Sequence, residues 1–162
     1  MIELIRANLK LLDAAIAGDG ELEKALGHGV VAGWATFTEA LPPTRDALAT
    51  AGSDPRWGTR LFVAGEPPAL VGWGGFKGPP REGLVEIGYE IAASRRERGL
   101  ATAAVRAMLA EAFADERVAA VVAHTLPEHN ASTRVLEKTG FRLEGEATEG
   151  DESVWRFSLG RR

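Results

Sequence analysis

The spacing of apolar residues changes once, sharply, near Gly99, and that change constrains the fold more than any other feature of the chain. Upstream, Thr59–Ala64, Ala69–Lys77 and Leu84–Ala92 are short apolar runs. They are separated by Gly65-Glu66-Pro67-Pro68 and by Gly78-Pro79-Pro80-Arg81-Glu82-Gly83. Such runs between tight breakers read as three successive antiparallel strands. Downstream, from Gly99 to Ala114, Leu100, Ala104, Val105, Met108, Leu109, Ala112 and Phe113 recur at helical spacing. Val118–His124 is then an uninterrupted apolar run of strand length, expected at the centre of a sheet with both faces covered. Asn130–Lys138 reads as a shorter helix closed by Thr139-Gly140, and Phe141–Glu146 and Ser153–Leu159 as final strands. An antiparallel meander that acquires a strand–helix–strand crossover is an α/β fold with a mixed, mostly antiparallel sheet.

The first third is less regular. Met1–Ile5 reads as a strand, Asn8–Ala17 and Glu21–Leu26 as helical pieces, and Gly29–Phe37 fits neither period. Thr38–Ala51 reads as a helix, with Pro42-Pro43 tolerated only in its first turn. At 162 residues, with 45% hydrophobic and 26% charged residues, the chain matches one globular domain, 1–162, with its own core. A net charge of −4 argues against direct nucleic-acid binding. The longest stretch free of Lys, Arg, Asp and Glu, Ala25–Thr38, is too short to span a bilayer, so no membrane partner is expected. The N-terminus reads as lacking a signal-peptide core, and the expected location is cytoplasmic. With no Cys, and with His28, His124 and His129 in no ligand spacing, no metal is expected.

The chemistry sits where the period changes. A strand ends, Ser94-Arg95-Arg96-Glu97-Arg98-Gly99 follows, and a helix opens at Leu100. The N–H groups of a helix start are unpaired and the helix dipole adds positive potential, so this geometry suits a phosphate. The bland alternative is a solvated Arg cluster and a turn glycine. The glycines of Gly72-Trp73-Gly74-Gly75 have no helix start behind them and read instead as a strand thinned for close packing.

Three motifs carry a more specific resemblance. Arg96-Glu97-Arg98-Gly99-Leu100-Ala101 is similar to the Q/R-x-x-G-x-G/A motif of the GNAT superfamily of N-acetyltransferases. Val85-Glu86-Ile87-Gly88-Tyr89 upstream and Asn130-Ala131-Ser132-Thr133-Arg134-Val135-Leu136-Glu137-Lys138-Thr139-Gly140-Phe141 downstream resemble its RimJ/RimL-like branch, which acts on ribosomal proteins. The motifs cover residues 69–146, and the order of elements extends the likeness over the whole chain.

The resemblance implies the GNAT fold, with a sheet splayed between Tyr89–Ala92 and Val118–His124. It implies acetyl-CoA as co-substrate, its pantetheine against the backbone of Ile91 and Ala93. The pyrophosphate would lie on the amides from Arg96 through Arg98, Gly99, Leu100 and Ala101 to Thr102. The acetyl carbonyl would face a backbone N–H near Tyr89–Ile91, as in an oxyanion hole. A primary amine, on a protein N-terminus or a small molecule, would attack directly; the absence of Cys agrees with a path lacking a thiol acyl-enzyme.

Direct transfer needs an acid for the thiolate and a base for the amine. Many family members place a Tyr on the helix after the central strand. Leu136 stands near that position, and the single Tyr, Tyr89, lies on a strand. Ser132 matches the RimL-type serine, with a helix cap as its rival role. Glu86 resembles a glutamate of this branch and reads either as the base, through water, or as structural. Glu90, on the same strand face, reads as solvated. The family's cofactor-contacting Asn falls at His129 here, with Asn130 one residue later, so either residue is a candidate; Asn130 is also a plausible helix cap. Trp34, Phe37, Trp57, Trp73 and Phe76 read as core or as acceptor-pocket aromatics. A non-catalytic acyl-CoA-binding module of the same fold is the alternative, and both monomer and homodimer fit.

Overall fold

The computed structural model describes residues 1–161. Strand β1 (Ile2–Arg6) leads to α1 (Leu9–Ala17), α2 (Asp19–Leu26), the two-residue β2 (Gly29–Val30) and α3 (Leu41–Ala49). There follow β3 (Thr59–Ala64), β4 (Ala69–Phe76), β5 (Leu84–Ile91), α4 (Leu100–Phe113), β6 (Ala120–Thr125), α5 (Ala131–Lys138), β7 (Arg142–Glu149) and β8 (Glu152–Gly160).

The sheet runs β1-β3-β4-β5-β6-β8-β7, with β2 beside β4. Pairing is antiparallel except for β5 with β6 and β2 with β4. The parallel β5–β6 pair follows from the α4 crossover, because a tight turn cannot return a strand in the same direction. This is the α/β, mixed and mostly antiparallel sheet expected from the sequence.

Each face of the sheet has its own core. On one, α4 lays Ala104, Val105 and Met108 against Phe62, Val71, Phe76 and Ile87. On the other, α1, α2 and α3 lay Leu12, Leu22 and Leu41 against Leu61, Val63 and Leu70. Leu12, Leu22, Leu61 and Leu70 are fully buried, each contributing about 1.5–3 kcal/mol of transfer free energy. Trp34, Trp57 and Phe76 are core residues, buried to within 2–6% exposure, which decides their role against an acceptor pocket.

Some boundaries differ from expectation. Thr38–Ala51 is not one helix: Thr38–Ala40 is a 3-10 turn, and α3 starts at Leu41 with the prolines in its first turn. A proline there removes only N–H groups that lack helical partners anyway. Gly29–Phe37 resolves into β2 and an irregular loop. The central strand begins at Ala120 rather than Val118, because the amides of Ala119 and Ala120 both donate to the Gly83 carbonyl and turn the chain into the sheet.

One packing detail shapes the site. The register of β3 on β4 shifts between Phe62 and Val63. Beyond that shift, a Cβ on Gly72 would overlap the Glu90 carbonyl oxygen, and a Cβ on Gly74 that of Gly88. Glycine at these two positions therefore lets the second half of β5 lie unusually close to β4, as the Gly-rich strand led us to expect.

Candidate active site

The register of β5 on β6 runs from Leu84 opposite Ala120 to Ile87 opposite Ala123, and stops. Both strands continue. Beyond this point β5 stays on β4, with Gly72 opposite Ile91, while β6 stays on β8, with Thr125 opposite Trp155. Two neighbours that each keep their other partner must part, and a wedge opens between them. The Lys77 amide donates to the Glu86 carbonyl (2.9 Å) and the Ala92 amide to that of Val71 (2.7 Å). Even-numbered residues of β5 thus turn their backbone groups to β4, and Tyr89 and Ile91 turn theirs into the wedge. The Ile91 carbonyl already accepts from Arg96 Nε at 3.1 Å, leaving its N–H for any ligand.

The wedge opens on the α4 face into a cavity of about 650 Å³. Gly99 caps α4 at φ 74° and offers no side-chain acceptor. The Ala103 amide makes the first helical bond, to the Gly99 carbonyl, so the N–H groups of Leu100, Ala101 and Thr102 are open to an anion. Arg95, Arg96, Arg134 and Lys138 surround this turn, against a single acid, Glu97. Four cations around an open helix start suit a polyanionic ligand, as the sequence motif led us to expect.

A second cavity of about 400 Å³ shares Ile91, Arg96 and Ala101 with the first and reaches Tyr89 and Ser132. Asn130 caps α5: its Oδ1 accepts from the Thr133 amide (3.0 Å), and Thr133 Oγ1 accepts from the Asn130 amide (2.9 Å). The cap is filled, so Ser132, two residues into the helix, is free for another role. Its Oγ donates to the Tyr89 phenol oxygen at 3.2 Å, and the phenol donates to the Ser132 carbonyl at 3.1 Å. Burial pushes the Tyr89 phenol up, against the opposing hydrogen bond from Ser132, so it keeps its proton at neutral pH.

Across the sheet, the wedge meets a charged cluster. Glu86 Oε2 accepts from Lys77 Nζ at 2.8 Å and lies 3.0 Å from His124 Nδ1. A carboxylate only accepts, so the facing His124 nitrogen carries the hydrogen. Burial pushes the Glu86 carboxyl up, but the Lys77 and His124 contacts outweigh it and hold the group below its ordinary value. Glu86, His124 and Glu149 each bring a ligand atom within 4.8 Å of the others, although sequence spacing gave no sign of it. The Lys77 ammonium is the cation that Glu86 holds there.

The sequence model of the acetyltransferase (GNAT) domain family matches residues 9–142. The chain belongs to the GNAT acetyltransferase family. It is 30% identical over 151 residues to the uncharacterized N-acetyltransferase YjdG of Bacillus subtilis (strain 168), covering 91% of this chain and 90% of that one. Among solved structures, it superposes on the microcin C7 self-immunity acetyltransferase MccE, in complex with acetyl-CoA and AMP. That match has TM-score 0.69 at 14% identity and covers 99% of this chain and 92% of the other. It also superposes on RimL, the ribosomal L7/L12 alpha-N-protein acetyltransferase in complex with coenzyme A. There the TM-score is 0.68 at 16% identity, covering 98% and 93%.

In this GNAT acetyltransferase most of the expected cofactor residues stand together. Ile91, Ala93, Arg96, Gly99, Leu100, Ala101 and Thr102 line the first cavity, and Asn130 the second. Arg98 does not line either; Arg95 takes that place because the loop turns at Glu97, which sits at φ 64°. Of the two candidates flanking α5, Asn130 reaches the wedge, while the His129 ring packs edge-on against Trp155 at 4.9 Å. Glu90 is not simply solvated: its Oε1 accepts from Trp73 Nε1 (2.6 Å) and from the Thr36 amide (2.9 Å), pinning the loop after β2. Sequence reasoning missed Arg134 and Lys138, four apart on α5 and hence on one helical side, and the phenol of Tyr89, which strand alternation places on the α5 side. Among the described residues, no helix is long and apolar enough to cross a membrane.

Proposed function

We propose that the chain is an N-acetyltransferase that moves the acetyl group of acetyl-CoA directly to a primary amine, on a peptide N-terminus or a small molecule. The observation that carries this reading is the wedge. It joins a cationic cavity on one face of the sheet to the Glu86–His124 pair on the other, with unpaired strand amides between. A RimL neighbour and an MccE neighbour solved with acetyl-CoA add support.

In this reading the open amides of α4 and the surrounding arginines hold the diphosphate. The Tyr89 and Ile91 N–H groups polarise the acetyl carbonyl as negative charge develops on its oxygen. Ser132, backed by the protonated Tyr89 phenol, gives a proton to the departing sulfur. Glu86 takes a proton from the amine through water, with His124 fixing the carboxylate. No side chain carries the acetyl group between donor and amine during turnover, so the kinetics are sequential.

The test is a screen of amino acids, polyamines, aminoglycosides and short peptides, read by release of free CoA. Turnover with at least one primary amine supports the reading. Stabilisation by acetyl-CoA without turnover of any amine would mark a binding module instead.

A further inference from the structure

Lys77 continues the line of β4 past its last residue, and its amide donates to the Glu86 carbonyl. It therefore stands opposite Glu86, with its side chain on the same face of the sheet. That side chain is 52% exposed, yet it lies along the sheet. Its Cε leans along β5 onto Gly88, where a Cβ would lie 3.5 Å from it. Its Nζ reaches Glu86 Oε2 at 2.8 Å, and that oxygen is also 3.0 Å from His124 Nδ1.

Gly88 and His124 have a particular place. They are the first residues of β5 and β6 beyond the last pair, Ile87 with Ala123. The wedge begins between them, and the Lys77 side chain is held beside its start. A partly exposed ion pair such as Lys77–Glu86 contributes little to stability, so the fold does not depend on this placement. One of the chain's own primary amines thus stands at the start of the wedge, on the face opposite the cationic cavity.

We propose that Lys77 is itself an acetyl acceptor, modified within its own molecule on Nζ by acetyl-CoA bound on the other face of the wedge. The proposal rests on the acetyl-CoA reading above. The ammonium first gives one proton to Glu86 and so to solvent. The nitrogen lone pair then forms the N–C bond to the thioester carbonyl carbon, and the C–S bond breaks. The nitrogen loses its second proton while the sulfur takes one up. The products are Nε-acetyl-Lys77, the CoA thiol and one net proton. The ion pair that positions the ammonium also favours its charged form, so this is a slow single event for each molecule. The resulting acetamide is neutral, releases Glu86 and lies over Gly88 at the start of the wedge.

The experiment incubates the full chain with acetyl-CoA and no other amine, and follows acetylation of individual lysines by peptide mass spectrometry. The four lysines, Lys10, Lys24, Lys77 and Lys138, compete within one molecule. The expected result is acetylation of Lys77 at least about tenfold faster than of Lys10 and Lys24, at a rate per molecule independent of protein concentration. Urea-unfolded protein and a Gly99→Glu variant lose the preference. Glu86→Gln diminishes it while circular dichroism shows the fold retained. Equal labelling of Lys77, Lys10 and Lys24 overturns the proposal, as does a rate that rises with protein concentration. CoA release with external amines from the same preparation, with Lys77 unlabelled, overturns this proposal and leaves the function intact. Failure to bind acetyl-CoA overturns both.

Discussion

The Ser132 hydroxyl donates to the Tyr89 phenol oxygen at 3.2 Å, and the phenol donates back to the carbonyl oxygen of Ser132 itself. A strand and a helix 43 residues apart are thus tied by a reciprocal pair at the edge of the wedge. The pair gives the site a hydroxyl with a protonated phenol behind it, where the sequence showed only a serine.

Ser132→Ala should lower kcat by at least about tenfold, the low end for general acid–base assistance with water as substitute, and leave acetyl-CoA affinity nearly unchanged. Tyr89→Phe should lower kcat in the same direction, and the double variant should fall short of the summed effects, because the two groups share one proton path. Asn130→Ala supplies the contrast: it removes the cap and costs about 1 kcal/mol in thermal unfolding. A full kcat in Ser132→Ala would return that residue to packing alone.

Acetyl-CoA at about 100 times its dissociation constant should stabilise the fold by roughly 2.7 kcal/mol. Gly99→Glu should abolish the shift, since it places a side chain and a negative charge at the open turn. Arg134→Ala should weaken binding by roughly 1.5–3 kcal/mol, typical of a charge-assisted hydrogen bond. Arg98→Ala should leave binding intact, because that side chain lies outside the cavity. Calorimetric titration of the three variants checks the assignment of the loop.

Glu86 has a folded value below its ordinary one. A carboxyl shifted in that direction adds stability above its unfolded value, about 4.3, and loses it as pH falls through the lowered folded value. Its partners therefore support the fold across neutral pH, and the contribution disappears only in acid. In activity, Glu86→Gln should lower kcat/KM most near neutral pH and least at high pH, where free amine is already abundant. Parallel pH profiles for variant and parent would make Glu86 a structural residue.

Glu90 pins the loop after β2 through the Thr36 amide and the Trp73 indole. Glu90→Ala should raise the KM for the acceptor several-fold and speed proteolytic cleavage between residues 31 and 37, with acetyl-CoA affinity unchanged. Cleavage no faster than in the parent would show that Trp34 packing alone holds the loop.

Initial rates at varied acetyl-CoA and acceptor should give intersecting lines, as expected where the amine attacks the thioester without an enzyme-bound acetyl group. A parallel pattern, or an acetyl group trapped on a residue in the path of turnover, contradicts direct attack.

The parts of the site that are local in sequence were legible there. The strand, the Gly99 turn and the Ala-rich α4 are contiguous, and their periods name them without tertiary information. Asn130 and Thr133 form a cap three residues apart, which local spacing also reveals. The charged cluster is different in kind. Lys77 follows the end of β4, Glu86 and His124 lie in β5 and β6, and Glu149 ends β7, and only the order of five strands, β4-β5-β6-β8-β7, brings them into one sheet. Arg98 and Arg95 illustrate the opposite limit. Their order in the chain is plain, but the positive φ of Glu97 decides which one faces the cavity. The stretch from Gly29 to Phe37 was opaque because its order comes from side chains elsewhere: Trp34 bonds Asp19, and Thr36 bonds Glu90.

Tyr89 is the only tyrosine in the chain. Its phenol lies in the wedge with its ionisation pushed upward by burial. Near-ultraviolet difference spectra taken through alkaline pH therefore contain one phenolate signal, and it originates at the site. The fold carries a built-in chromophore whose ionisation reports, without any label, on what enters the space between β5 and β6.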